Sequence, residues 1–184
     1  AIVRQIMFIG NKVFSDDELR AVIKTRRKGP FSFLTSSGKY DRAELNFDKE
    51  RLMFHYLNHG YVKASIVPAK VTISKDKRYI YVTFQVKEGL QYRINSIELT
   101  GDILTTKEEL LSLLKSKSAN VYSQRKLVED IQLLTERYGD EGYAFANILP
   151  QTLTDDESRQ LDLQISIDKG SRVTIERINI TGNA

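Results

Sequence analysis

Three stretches of the chain carry one phrase: RQIMFIGNKVF near the start, RINSIELTGDIL in the middle and ERINITGNA at the end. An internal repeat constrains a fold strongly, because each copy must bury the same positions in the same way. Anchoring on Gly10, Gly101 and Gly182 aligns Val3, Ile6, Phe8 with Ile94, Ile97, Leu99 and with Ile175, Ile178, Ile180. Branched and aliphatic residues alternating up to the glycine predict a strand. The glycine, followed by Asn or Asp, supplies the positive φ of a turn.

The register continues beyond the turn. Ser15 and Thr106 stand five residues past the glycine, each followed three residues later by Glu18 or Glu109. That spacing predicts a capping box in both copies. Leu19, Val22, Ile23 and Leu110, Leu113, Leu114 then give a short helix of about three turns. A second helix follows, with Leu45, Leu52, Tyr56, Tyr61 matching Leu127, Leu134, Tyr138, Tyr143 and Ile131 filling the stripe of the second copy. Asp41 and Ser123 are its expected N-caps, and Gly60 and Gly142 its left-handed ends.

Two strands close each unit. Ala64, Ile66, Val71, Ile73 correspond to Ala146, Ile148, Leu153, with inward parity switching near Pro68 and near Pro150. A β-bulge in an edge strand is expected at both places. After the turns SKDKR and DDESR, Ile80, Val82, Phe84, Val86 and Leu161, Leu163, Ile165, Ile167 alternate strictly. The unit is therefore β-α-α-β-β, an α+β fold, with its glycine anchors 91 and then 81 residues apart. The second and third strands form an antiparallel hairpin, and two intervening helices let the first run parallel to the third. The expected mixed three-stranded sheet has the order first, third, second strand, covered on one face by the helices. Expected domains are 1–89 and 90–170, with 171–184 the first strand of a third. Most of the extra length of the first copy lies in RRKGPFSFLTSSGKY.

Composition narrows the chemistry. The 184 residues include no cysteine, which excludes disulfides, zinc–thiolate sites and thiol catalysis. No run approaches the length of a membrane-spanning helix, and 41% hydrophobic with 28% charged residues is ordinary for a globular protein. No nucleophile–base pattern, phosphate-binding glycine loop or paired carboxylates are apparent. No cofactor is expected.

The I-x-I-x-G-N phrase, the capped helix, the helix ending in GY and the strand ending in E-G together resemble the polypeptide-transport-associated (POTRA) domain. The insertion GPFSFLTSSGKY and the ending RYGDEGYAF look most like the third and fourth domains of the BamA family of outer-membrane protein assembly factors, with RVTIERINITGNA opening a fifth. Departures are Asp102-Ile103 after the second glycine and Lys169-Gly170 in place of Glu-Gly. The resemblance implies a periplasmic module without enzymatic activity, preceding a C-terminal outer-membrane barrel, which binds accessory lipoproteins and unfolded outer-membrane proteins, in part by strand addition. A different exporter, such as a two-partner secretion transporter, or a divisome protein carries the same domain type.

Strand addition also follows from the topology, since an edge strand offers unpaired backbone groups to an extended peptide. The candidate edge is Lys63, Ala64, Ser65, Ile66, Val67, Pro68, Ala69, Lys70, Val71, Thr72 and Ile73; the alternative is that it is only blunted. Glu88, Gly89, Leu90, Gln91, Tyr92 and Lys169, Gly170, Ser171, Arg172 are the expected interdomain hinges. His55 and His59 have the spacing of a helical zinc pair but no evident third ligand, so no metal is expected. Lys24, Arg26, Arg27 and Lys28 read as helix-terminal charge, or else as a contact for lipid headgroups or an acidic partner. Phe31 and Phe33 read as a plug on the domain's own core or as a contact surface. A mild net charge of +4 without a basic, aromatic-interleaved stripe argues against nucleic acid.

Overall fold

The computed structural model describes residues 2–25 and 41–173. Arg26, Arg27, Lys28, Phe31, Phe33 and the closing phrase with Ile175, Ile178, Ile180 and Gly182 lie outside the described residues. The chain forms two compact units: the first runs to Tyr92 and also includes Val121–Gln124, and the second takes the rest from Arg93.

The first unit holds β1 (Ile2–Ile9), α1 (Asp16–Val22), α2 (Arg42–Asn58), β2 (Ser65–Ile73) and β3 (Tyr79–Lys87). The second holds β4 (Arg93–Gly101), α3 (Lys107–Leu113), α4 (Gln124–Asp140), β5 (Asn147–Asp155) and β6 (Gln160–Asp168). The sheets have the orders β1-β3-β2 and β4-β6-β5, with β1 parallel to β3 and β2 antiparallel to it, and likewise in the second. The central strands alternate as expected: Ile80, Val82, Phe84, Val86 and Leu161, Leu163, Ile165, Ile167 are all buried. The first strands carry a register shift, between Val3 and Gln5 and between Ile94 and Ser96. That shift is why their buried residues fall three apart before they fall two apart.

The anchoring glycines are required twice over. Gly10 and Gly101 have φ of +90° and +89°, and a Cβ on either would sit 2.2 Å from the carbonyl oxygen of Val86 or Ile167. Helices α2 and α4 end alike in a Schellman motif. Tyr61 N–H donates to Tyr56 O (3.1 Å) and Gly60 N–H to Leu57 O; Tyr143 N–H donates to Tyr138 O (3.0 Å) and Gly142 N–H to Gly139 O. Asp41 caps α2, accepting from Ala43 and Glu44 N–H, and Ser123 directly precedes α4.

Several expectations are corrected. Helices α1 and α3 have seven residues each, about two turns rather than three. Their apolar stripes run past the helix ends, because Ile23 and Leu114 are buried as extended cap residues, while Leu113 is exposed. The capping box is complete at Ser15 and Glu18. At Thr106 only the hydroxyl half is described; Glu109 instead faces Arg137 at 3.7 Å. The bulge occurs in β2, between Val67 and Lys70, but β5 pairs with β6 in unbroken register through Pro150. Leu153 consequently points to the open face of its sheet and is exposed, not inward. On α4 the fully buried residue between Leu127 and Leu134 is Asp130, while Ile131 is half-buried.

Candidate peptide-binding edge

β2 has β3 on one side and no strand on the other among the described residues. Ser65 pairs with Lys87, Ile66 with Val86 and Val67 with Gln85; after the bulge Lys70 pairs with Thr83, Val71 with Val82, Thr72 with Tyr81 and Ile73 with Ile80. Ala64 and Ile66 are buried, and Ala69 and Val71 pack against the core from its margin. Val67 and Ile73 are exposed, as are Lys63, Ser65, Pro68, Lys70 and Thr72. Pro68 lies within the bulge, so the edge is two short runs of regular strand separated by a twist. β5 is the matching edge of the second unit: nine residues, regular, with Leu149 and Leu153 exposed on the open face.

The segments read as hinges are tied back to the units that they close. Glu88 is buried, and its Oε1 accepts from Val13 N–H (3.0 Å) and the Tyr56 hydroxyl (2.9 Å). Burial, followed by that carboxylate, pushes the Tyr56 hydroxyl well above its ordinary pKa. Gln91 Nε2 donates to His59 O (2.9 Å), Tyr92 N–H to Gly60 O (2.9 Å), and Lys63 Nζ lies 5.7 Å from the Tyr92 ring centre. The second unit repeats the device: Arg172 Nε donates to Glu141 O (3.1 Å) and Val173 N–H to Gly142 O (2.8 Å). Lys169 N–H donates to Asp102 Oδ2 (3.1 Å), and its ammonium lies 5.5 Å from the Tyr143 ring centre.

Each long helix carries a buried carboxylate. Asp48 Oδ1 accepts from Lys24 N–H (2.7 Å) and Oδ2 from Thr25 N–H (2.9 Å). Asp130 does the same for Lys115 and Ser116. Each side chain satisfies two backbone donors just after the short helix, holding the chain where the helix stops.

The model of one protein family, described as POTRA, surface antigen variable number repeat, matches residues 1–89 and 92–170. The chain belongs to the POTRA family. It is similar to the outer membrane protein assembly factor BamA of Nitratidesulfovibrio vulgaris, at 32% identity over 98% of the chain and 23% of that protein. It is 28% identical to the BamA of Neisseria meningitidis serogroup B over 100% of the chain and 23% of that protein. The chain thus spans about a quarter of the length of these relatives. A crystal structure of Haemophilus influenzae BamA POTRA3-5 superposes with a TM-score of 0.80 at 25% identity, over 100% of this chain and 72% of that one.

Both POTRA units carry the Asp latch, which the reading of apolar stripes passed over. The signal was present, since Asp48 and Asp130 are 82 residues apart, as are Leu45 and Leu127 or Tyr56 and Tyr138. His55 and His59 come together with ring centres 4.5 Å apart, and both pack edge-on against Phe14. Among the described residues no group of three potential ligands is placed to hold a metal, and no helix is long and apolar enough to cross a membrane. Tyr79, Tyr81, Thr83 and Gln85 line the open face, pairing with Ile2, Gln5, Met7 and Ile9 of β1.

Proposed function

We propose that the chain is the periplasmic POTRA module of an outer-membrane protein assembly factor, with domains at 1–89 and 90–170. In this role it receives unfolded β-barrel precursors along β2, contacts accessory lipoproteins through its surface and works beside a C-terminal outer-membrane barrel. The observation that carries the reading is an edge strand with no strand on one side among the described residues, on a POTRA pair that is similar to BamA over the length of this chain. An unpaired edge takes an extended peptide largely through backbone hydrogen bonds, which suits clients that share alternation rather than sequence. The hinge segments Glu88–Tyr92 and Lys169–Arg172 are each hydrogen-bonded to the unit that they close, Gln91 and Arg172 to the ends of the long helices and Glu88 and Lys169 to the loops after the first strands.

The test is photocrosslinking from single sites along Lys63–Ile73 to a barrel-precursor peptide. Labelling should be stronger there than from the open-face positions Tyr79, Tyr81, Thr83 and Gln85. Equal or weaker labelling along the edge would sink the reading.

A further inference from the structure

We infer that the β2 edge selects an extended polypeptide segment rich in carboxylates, and that the β5 edge turns the same segment away. The inference rests on β2 being a peptide-docking edge. Along β2 and its hairpin the exposed charged side chains are Lys63, Lys70, Lys75, Lys77 and Arg78, with Asp76 the sole acid. Asp76 is engaged inside the turn, accepting from the Ser74 hydroxyl and Arg78 N–H, with Arg78 Nε 4.0 Å away. Lys70, Lys75 and Lys77 have no ion pair among the described residues. Lys87 lies across from Ser65, where an added strand would begin.

The second unit is acidic where the first is basic at two matching positions, Asp156 for Lys75 and Asp168 for Lys87, and it is uncharged at Phe145, Gln151 and Ser158, where the first has Lys63, Lys70 and Lys77. Its hairpin carries Asp155, Asp156 and Glu157 against Arg159, and Asp168 lies across from Asn147, the partner that matches Ser65. The contrast extends beyond the edges. Residues 1–92 hold 17 Lys and Arg against 9 Asp and Glu, a net +8, while residues 93–184 hold 11 against 15, a net −4. A modest overall charge hides two opposite fields, each of which steers encounter and rejects the wrong partner at its own edge. The β2 edge has no aromatic side chain on which a nucleobase could stack. Its cations flank two short runs of backbone groups spaced for another strand. A peptide strand with carboxylates is the partner that uses both features.

The test uses the 184-residue chain and two nine-residue peptides with the same apolar alternate positions, one carrying Glu and the other Lys between them. Binding is read by fluorescence anisotropy at low and raised salt, with a photocrosslinker in place of Ser65 to report position. The Glu peptide should bind about tenfold more tightly at low salt, as a few surface ion pairs allow, and the advantage should shrink as salt screens it. The triple change K70E, K75E and K77E should invert the preference, while K70R, K75R and K77R should keep it; circular dichroism checks that both fold. Equal affinities with crosslinking at position 65 would overturn the charge selection and leave the docking edge standing. Crosslinking by neither peptide would remove the edge itself. A Glu peptide interrupted by proline that bound as well as its parent would show attraction without strand addition, which also overturns the inference.

Discussion

In the first unit Glu88, at the end of β3, reaches across to the loop after β1 and holds Val13 N–H and the Tyr56 hydroxyl. In the second unit Lys169 occupies that position, and the acid comes from the loop instead: Asp102 Oδ2 accepts from Lys169 N–H. The Tyr138 hydroxyl then donates to the Asp102 carbonyl oxygen at 2.7 Å. The two departures from the family phrase, Asp102 and Lys169, are therefore one exchange. What the fold requires is an acceptor at this junction, and either side of it can supply one. The long-helix latch differs in the opposite way, since Asp48 and Asp130 keep both identity and geometry.

The largest effect should fall on what the units share. Asp48→Ala and Asp130→Ala each leave two backbone N–H groups without an acceptor beneath the short helix. Each should cost about 3 kcal/mol in chemical denaturation. Asp48 also pairs with Arg51, which bridges on to Glu44, whereas the corresponding position in the second unit is Leu133. Asp48→Ala should therefore be the costlier of the two. If both changes cost less than about 1 kcal/mol, the latch would be a by-product of packing and not its cause.

A middle-sized effect separates the units. Glu88→Ala should cost about 1–2 kcal/mol, since it strands a buried tyrosine hydroxyl and a backbone donor. Lys169→Ala, at the same position of the repeat, removes only a cation near the Tyr143 ring and should cost about 0.5 kcal/mol or less. Asp102→Ala should fall between them. The decisive variant combines Asp102→Ala with Lys169→Glu. It should recover most of the stability lost by Asp102→Ala alone; no recovery would mean that the junction is not exchangeable.

The strands and long helices were legible because alternation and a single apolar stripe survive in both copies. The latch was not, because a carboxylate on a core stripe reads as an interruption until its backbone partners are seen. The apolar pattern overstates the length of α1 and α3 for a related reason: Ile23 and Leu114 satisfy a helical stripe and an extended cap equally well. In the closing hairpin, apolar Leu153 suggested inward parity and hence a second bulge. Its sheet's open face instead carries exposed leucines, Leu149 and Leu153. The edge was legible as topology, but its charge contrast emerged only when the sequence was divided at the boundary between units.

A smaller effect concerns that hairpin. The turns are equal in length, for Ser74–Tyr79 matches Asp155–Gln160, so the one extra residue of the first copy is the bulge itself. Deleting Ala69 should bring Pro68 opposite Phe84, as Pro150 stands opposite Ile165. The deletion should cost about 1 kcal/mol or less, because pairing on both sides is already in phase. Loss of the Ile73–Ile80 pairing by nuclear magnetic resonance would show that the bulge sets register rather than twist.

The smallest effect is a pH dependence confined to the first unit. Burial, followed by repulsion from His59, lowers the pKa of His55 from its ordinary 6.5, while Glu18 opposes the shift. The matching positions of the second unit are Arg137 and Glu141, an ion pair at 2.8 Å that also faces Glu109, the counterpart of Glu18. A histidine whose folded pKa is depressed favours the folded state in its neutral form. Its contribution is fully present above 6.5 and is lost as pH falls from there through the lowered folded value. The stability gap between wild type and His55→Gln should therefore narrow on acidification through that window. Amide exchange at Leu52 should register the change, and exchange at Leu134 should follow only the loss common to both chains. A gap that stays constant with pH would place the proton elsewhere, and the aromatic cluster around Phe14 would then differ from its charged counterpart in packing alone.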